Sequence, residues 1–555
     1  IDNIYLTESA SKAITISKSK IDATIQFKSS GAGLKSTIQW THPNKEKMTQ
    51  KLHHHIQTGI YHYFDTKENK LIPIEESAII ATMSTQNNIQ IPVGVAIFLA
   101  LNTEVSIELP KDLESIINIL KKQNRVPIEK SIETILRPFQ KEGLQWLLSL
   151  YNTPLNGILA DDMGLGKTIQ SIMYLKKIQA NESSPSLIIM PKTLLFNWEK
   201  EIKKFAPELN VLRYDGPKRH ELMPTFNKYD VILCSYTSTR LDIKELCKPT
   251  FHCLILDEAQ YVKNNTTNTF KAVKKIKSNK KLLLTGTPLE NSISDLWSLM
   301  EIANHNYFGS FKGFDEFYSD SANQPILKAA LTPLLLRRRK KEVLKDLPSV
   351  TVQELWASPS PEEIKAYTTF ANQEWQHIES IVKTKGLEQS KIHIFALMTK
   401  LRQWCAHPKL IHKDAEDGPK WLIFYDRLQE AISNGHKVVI FSQFIPMIKT
   451  MEEKLNEENI PFTSLTGQTK NREEVIETFN NDDTIRVGLF SLKAGGVGIN
   501  LTSADYVFLY DPWWNPAVEQ QAIDRVHRIG QERQVMVFKC LVASTIEERM
   551  IDYQQ

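Results

Sequence analysis

Cysteine is scarce in this chain: five residues in 555, Cys234, Cys247, Cys253, Cys405 and Cys540, none in a C-x-x-C pair. An odd, scattered set argues against a disulfide framework or a zinc ribbon and points to a reducing compartment. Long hydrophobic runs are missing as well. The longest lies near residues 93–101, far short of the ~20 apolar residues that span a bilayer, so no membrane partner is expected. Ile1-Asp2-Asn3 carries neither a signal-peptide charge pattern nor a Met, so the chain is expected to be a fragment or to have been trimmed. There is no short repeat and no low-complexity tract. Charge of one sign is nearly balanced by the other: 68 Lys and Arg against 64 Asp and Glu give +4, compatible with a polyanionic partner without requiring one. With 41% hydrophobic and 24% charged residues, the composition is that of a globular protein able to bury several cores.

Residues 1–125 read as a separate N-terminal α+β module of unknown role. Ile21, Ala23, Ile25 and Phe27 alternate as in a half-buried strand. Residues 61–74 read as strand, polar turn at 67–70, strand. Val105, Ile107 and Leu109 alternate again before a helix expected over 111–122. The adjacent His53, His54 and His55 do not share a face, so an exposed turn is expected there rather than a metal site. From about residue 135 the pattern changes. Short apolar runs at 157–160, 187–190, 211–214, 231–234, 253–256 and 281–284 are each followed by a turn and a helical stretch. Such runs suit strands buried on both faces of a parallel, doubly wound sheet. A helical region is expected over about 291–420, and βα alternation resumes with runs at 437–441, 462–465, 486–490, 506–510 and 535–539. The expected fold class is therefore α/β, with two doubly wound parallel-sheet lobes, helical insertions and the N-terminal module. The expected boundaries are 126–300 for the first lobe, 301–420 for the helical insertion and linker, and 421–555 for the second lobe.

The chemistry concentrates at two points of the first lobe. Residues 160–168 read ADDMGLGKT between a strand and a helix. Glycines let backbone N–H groups approach phosphate oxygens, and the helix N-terminus adds its positive end. Asp162, Met163, Gly164, Leu165, Gly166, Lys167 and Thr168 would thus cradle a nucleotide. Lys167 would reach the β- and γ-phosphates, and the Thr168 hydroxyl would bind Mg²⁺. Asp161 stands where the usual loop has its first glycine, so a glycine-containing turn before a helix is the alternative. The second point is DEAQ, 257–260, directly after a buried strand. Asp257 would hold Mg²⁺, and Glu258 would orient and deprotonate the attacking water. A lone Asp-Glu pair after a strand is usually a helix cap; downstream of a GKT loop the catalytic reading is preferred.

With these residues in place, the chain from about residue 135 onward resembles the SWI/SNF-type ATPases of superfamily-two helicase-like translocases. LRPFQKEGLQWL (136–147) looks like the adenine-binding Q motif, which implies Gln140 as adenine reader. DDMGLGKT is the family's own form of the phosphate loop. MPKTLLFNWEKEIKKFAP (190–207) is similar to motif Ia, and LTGTPLEN (284–291) to motif III. KVVIFSQF (437–444), SLKAGGVGINL (491–501) and DPWWNPAVEQQAIDRVHRIGQ (511–531) look like motifs IV, V and VI. The resemblance implies RecA-like lobes, ATP and Mg²⁺ as cofactors, and double-stranded DNA as partner.

It further implies catalytic roles for Lys167, Asp257 and Glu258, and for Arg525 and Arg528, which at a spacing of three would share a helix face. Thr285 and Gly286 would report nucleotide state. Lys192, Thr193, Ser235, Tyr236, Lys493 and Trp514 would contact nucleic acid, and Trp513 is expected in the core. The basic run 337–341 reads as a solvated face, and the resemblance, which implies a place near the cleft, adds an inter-lobe clamp or a DNA contact as alternatives. His407-Pro408 is expected to shape a helix end. The function implied is an ATP hydrolase that translocates along duplex DNA without separating its strands, with a nucleosome or an RNA polymerase as possible targets. It would act as a monomer, in the cytoplasm of a bacterium or the nucleus of a eukaryote. A strand-separating helicase, an ATP-switched DNA-binding scaffold and an RNA-directed motor are the alternatives.

Overall fold

The computed structural model describes residues 15–16, 23–30, 33–40, 62–65, 70–73, 93–102, 106–122, 126–180, 182–286, 293–319, 324–344, 347–469, 471–492, 499–513 and 515–554. The chain divides into two compact units, one comprising Ile1–Asp162 and Lys167–Arg338, the other Arg339–Gln555 together with Met163–Gly166.

The first unit is built on a seven-stranded parallel sheet. Its strand order is Leu335–Leu336, Gly157–Leu159, Lys277–Leu284, Thr250–Leu256, Ser186–Met190, Val231–Ser235, Val211–Tyr214. The middle strands SLIIM and VILCS are buried at every position, as apolar runs covered by helices on both faces must be. The order reverses beside the phosphate-loop strand, so the ligand crevice of a doubly wound sheet opens at the carboxyl ends of these strands. The expected runs in this lobe fall in strands of this sheet, except that Ala160 lies one residue past its strand.

The N-terminal expectations hold locally. His62–Asp65 pairs antiparallel with Lys70–Pro73, Ala23–Ser30 pairs with Gly33–Trp40, and a helix spans Lys111–Lys122. The expected turn and His53–His55 fall largely or wholly outside the described residues. Described residues of the N-terminal stretch share the first unit's core. Ile25, Phe27, Ile97 and Ile117 join the same apolar cluster as Ile158 and Leu187. Gly94 N donates to Tyr307 O at 3.0 Å, which seats the helix Val93–Asn102 on the first unit.

The second unit carries a six-stranded parallel sheet in the order Val350–Ala357, Val535–Val542, Tyr506–Leu509, Val438–Ser442, Val487–Ser491, Phe462–Leu465. Here the expectation of an all-helical stretch over 291–420 is corrected. Helices Ile293–Ala303, Phe311–Tyr318 and Gln324–Leu331 do form. Leu335–Leu336 then closes the first sheet, and Val350–Ala357 pairs along its whole length with Val535–Val542. The physical reason is that VTVQELWA is an edge strand, exposed over 351–354, so it shows no continuous apolar run. The helices Pro361–Lys385 and Leu387–Ala406 follow. Ser360 opens the first of them with a capping box to Glu363 and Pro361 at the first turn. Among the described residues no helix is long and apolar enough to cross a membrane.

Candidate active site

The phosphate loop follows the strand Gly157–Leu159 and opens the helix Lys167–Gln179. Gly164 (φ 82°) and Gly166 (φ 78°) adopt the left-handed backbone that a side chain disfavours. Lys167 Nζ donates to the carbonyl oxygen of Asp161 at 2.7 Å, and Thr168 is the second residue of the helix. Asp161 is fully buried. Its carboxylate accepts from Arg338 N (3.1 Å), Arg338 Nε (2.9 Å), Arg338 Nη2 and Gln170 Nε2 (3.3 Å). Asp161 thus anchors the loop in place of the missing glycine. Arg338 is buried between the exposed Arg337 and Arg339, so the basic run is not a uniformly solvated face. Gln140, the expected adenine reader, is buried, and its carboxamide oxygen accepts from Arg137 N at 2.9 Å, capping its own helix Pro138–Tyr151.

The acidic box lies at the carboxyl end of Thr250–Leu256, whose ladder continues as Asp257 N donates to Ile189 O at 2.8 Å. Asp257 is 8% exposed. Its carboxylate accepts from the Trp198 indole nitrogen at 2.7 Å and from Glu258 N at 2.9 Å. Burial, with the neighbouring Glu258 charge second, pushes the Asp257 carboxyl up to about 7. Glu258 has a left-handed backbone (φ 50°), an uncommon conformation for a residue with a Cβ and one concentrated at functional sites. Gln260 Nε2 donates to Glu258 Oε2 at 2.7 Å, and Thr285 Oγ1 donates to Gln260 Oε1 at 3.1 Å. Thr285 is therefore linked to the catalytic candidate through one side chain. The residues fit a Mg²⁺–nucleotide: a glycine loop at a helix N-terminus, a lysine, a hydroxyl and a desolvated carboxylate. Among the described residues no cluster of three or more His, Cys, Asp or Glu suits a metal ion.

In the second unit Arg525 is buried on the last turn of the helix Pro516–Val526. Arg528 lies beyond that helix, which corrects the expectation of a shared helix face. His527 leaves the helical region (φ −91°, ψ 82°) while its N still caps Ile523 O at 2.8 Å. Its ring Nε2 lies 2.8 Å from Pro348 O. Lys340 pairs with Asp524 at 2.5 Å and donates to His527 O at 2.7 Å, pinning this helix end. Asp511 is buried and accepts from Ser442 Oγ at 2.7 Å and Gln443 N at 2.6 Å. Arg402 donates to Pro512 O and lies 5.5 Å from the Trp513 ring, so Trp513 is half-buried against a cation rather than fully in the core. His407 accepts from Lys409 N at 3.2 Å and shapes a helix end, as expected.

The SNF2-related domain family matches residues 139–410, and the helicase conserved C-terminal domain family matches residues 423–530. The SWI2/SNF2 ATPase core of Sulfolobus solfataricus, solved in complex with double-stranded DNA, is 35% identical over 75% of this chain and 90% of that one (TM-score 0.40). The chain belongs to the SNF2-related ATPase family. An ATP-dependent helicase of Mycoplasma pneumoniae, itself uncharacterized, is 38% identical over 78% of this chain and 43% of its own length. The human SWI/SNF-related matrix-associated actin-dependent regulator of chromatin subfamily A member 1 is 36% identical over 75% and 42%. The SNF2-family chain thus spans less than half the length of these curated relatives.

Within the SNF2 frame, the expected nucleic-acid residues fare unequally. Lys192 and Thr193 are exposed after the strand Ser186–Met190, with Lys192 paired to Asp215 at 3.1 Å. Ser235 and Tyr236, also expected to contact nucleic acid, are buried. Ser235 caps the helix Tyr236–Leu241 through Ser238 N, and the Tyr236 hydroxyl donates to Asp257 O at 2.9 Å. Lys493 and Trp514 lie outside the described residues. Reading the sequence alone missed Trp198, Gln260 and Arg338. The signal available for Trp198 was a lone tryptophan on an amphipathic helix, whose indole N–H needs a partner once buried.

Proposed function

We propose that this chain is a DNA-stimulated ATPase that translocates along duplex DNA without separating its strands. The observation that carries the reading is the chain of contacts at the carboxyl ends of inner strands of the first sheet, from Trp198 through Asp257 and Glu258 to Gln260 and Thr285. It supports a hydrolytic site wired to a neighbouring loop. The phosphate loop and Lys167 hold the β- and γ-phosphates. Thr168 and Asp257 would hold Mg²⁺, which would neutralise charge on the phosphate oxygens. Glu258 takes the proton of the attacking water. Arg525 and Arg528 stabilise the charge that develops on the γ-phosphoryl group, in the manner of arginine fingers. Gln260 passes the loss of that group to Thr285, and ATP-driven opening and closing of the lobes follows. Lys192, Thr193, Lys493 and Trp514 grip DNA chiefly through its backbone, so binding is sequence-tolerant and salt-sensitive.

The double-stranded DNA named for the Sulfolobus core and the chromatin regulator among the relatives support this substrate. The protein would then work inside the cell, at its DNA. ATP hydrolysis measured with no nucleic acid, single-stranded DNA, duplex DNA and RNA tests the substrate, and duplex should stimulate most. Triplex displacement beside unwinding of a forked duplex tests the mode. Unwinding with no triplex displacement would establish a strand-separating helicase instead.

A further inference from the structure

In sequence the basic run 337–341 reads as a solvated face, a clamp or a DNA contact, and none of these describes the buried Arg338. Its guanidinium makes four hydrogen bonds to three segments: Nε and Nη2 to the two oxygens of Asp161, Nη1 to Phe139 O, and Nη2 also to Gln170 Oε1. It also faces the Phe139 ring at 5.3 Å. Two of these segments bear on the nucleotide directly. Phe139 precedes Gln140 on the helix expected to read adenine, and Asp161 opens the phosphate loop. The backbone adds to the same link. Ile158 N donates to Leu334 O (2.8 Å), Ala160 N to Leu336 O (2.7 Å) and Asp162 N to Arg338 O (3.0 Å). The chain at the end of the first unit is zipped along the phosphate-loop strand into the loop itself.

We propose that Arg338 is a positioning residue for nucleotide binding, fixing the adenine-side helix and the phosphate loop in one frame. This deepens the proposed function and rests on it. Lys167 Nζ donates to the carbonyls of Asp161 and Asp162, the two residues that Arg338 holds by side chain and by backbone. Arg338 therefore sets where the phosphate-binding ammonium sits. A buried carboxylate with its partner removed is strongly destabilising, and only a planar fork reaches both oxygens of Asp161 while leaving donors for Phe139 and Gln170. Lysine at 338 would keep the charge and lose the geometry. Room for the fork depends on Gly143: a Cβ there would stand 2.0 Å from Gln170 Oε1 and 2.7 Å from Arg338 Nη2.

The test uses the full chain as wild type, Arg338→Lys and Gly143→Ala. The second variant disturbs the fork while leaving every charge and the loop sequence in place, and alanine suits its helix. Steady-state kcat and KM for ATP, affinity for a fluorescent ATP analogue and the thermal midpoint are measured for each. Both variants should raise KM and weaken analogue binding about tenfold, with kcat within about threefold of wild type, the pattern of lost ground-state binding. A lowered midpoint with KM and analogue affinity unchanged, in whichever variant folds, would reduce Arg338 to structural glue and overturn the proposal. Failure of the wild type itself to bind the analogue would sink the proposed function instead, so the two failures are distinguishable.

Discussion

The two units bury charge to different ends. In the first, the buried groups Asp161, Arg338 and Asp257 lie in or against the loops at the carboxyl ends of the strands, where substrate chemistry is expected. In the second, the most deeply buried ion pair among the described residues, Lys420 with Glu547 at 2.6 Å, each 1% exposed, ties the helix Pro419–Ser433 to the helix Ile546–Gln554 and to Tyr510 O. Similar desolvated pairs thus lie against the candidate phosphate loop in one unit and between packed helices in the other. The difference is whether the pair touches such a loop.

The comparison breaks most sharply at the arginines. Arg525→Ala and Arg528→Ala should each lower single-turnover hydrolysis about 10³-fold or more. If both hydrolyse ATP at wild-type rates, the second unit supplies no catalytic group. Glu258→Gln should cost about 10²–10⁴ in kcat while nucleotide binding persists; loss of binding instead would make Glu258 part of the frame. Lys420→Met tests the architectural side. It leaves Glu547 buried without its cation and should cost about 3–5 kcal/mol by chemical denaturation, with affinity for an ATP analogue unchanged. Weakened ATP affinity in the folded variant would erase the distinction between the units. Trp198→Phe removes one hydrogen bond to a buried carboxylate; it should cost about 1.5–3 kcal/mol by chemical denaturation and also lower kcat, and an unchanged kcat would leave Trp198 a structural contact alone. The smallest effect is expected at Lys192→Ala, where the slope of log affinity for duplex against log salt should flatten by ~0.9. An unchanged slope would remove Lys192 from the DNA surface.

The sheet strands were legible because a strand covered on both faces must be apolar throughout, as SLIIM, VILCS, VVIFS and VGLFS are. Val350–Ala357 was not, because an edge strand faces water and needs no such run. The phosphate loop and acidic box could be read from local order alone, since their residues are neighbours in the chain. The Arg338–Asp161 pair spans 177 positions and Trp198–Asp257 spans 59, and no local pattern reports a bond of that kind. The roles of Ser235 and Tyr236 come from the resemblance, and position after a strand does not report their burial or the helix cap that Ser235 makes.

By itself, the sequence determined that two parallel sheets would form and where the nucleotide chemistry would gather, because strand burial and loop chemistry depend on neighbours a few residues apart. Only the tertiary structure decided that Asp161 is an anchor, that a tryptophan holds Asp257, that Arg528 lies beyond its helix, and that the run 337–341 buries one arginine between two exposed ones. Those outcomes depend on which distant side chains must share a desolvated space, and the need to pair a buried charge is met by whichever partner the fold brings within reach.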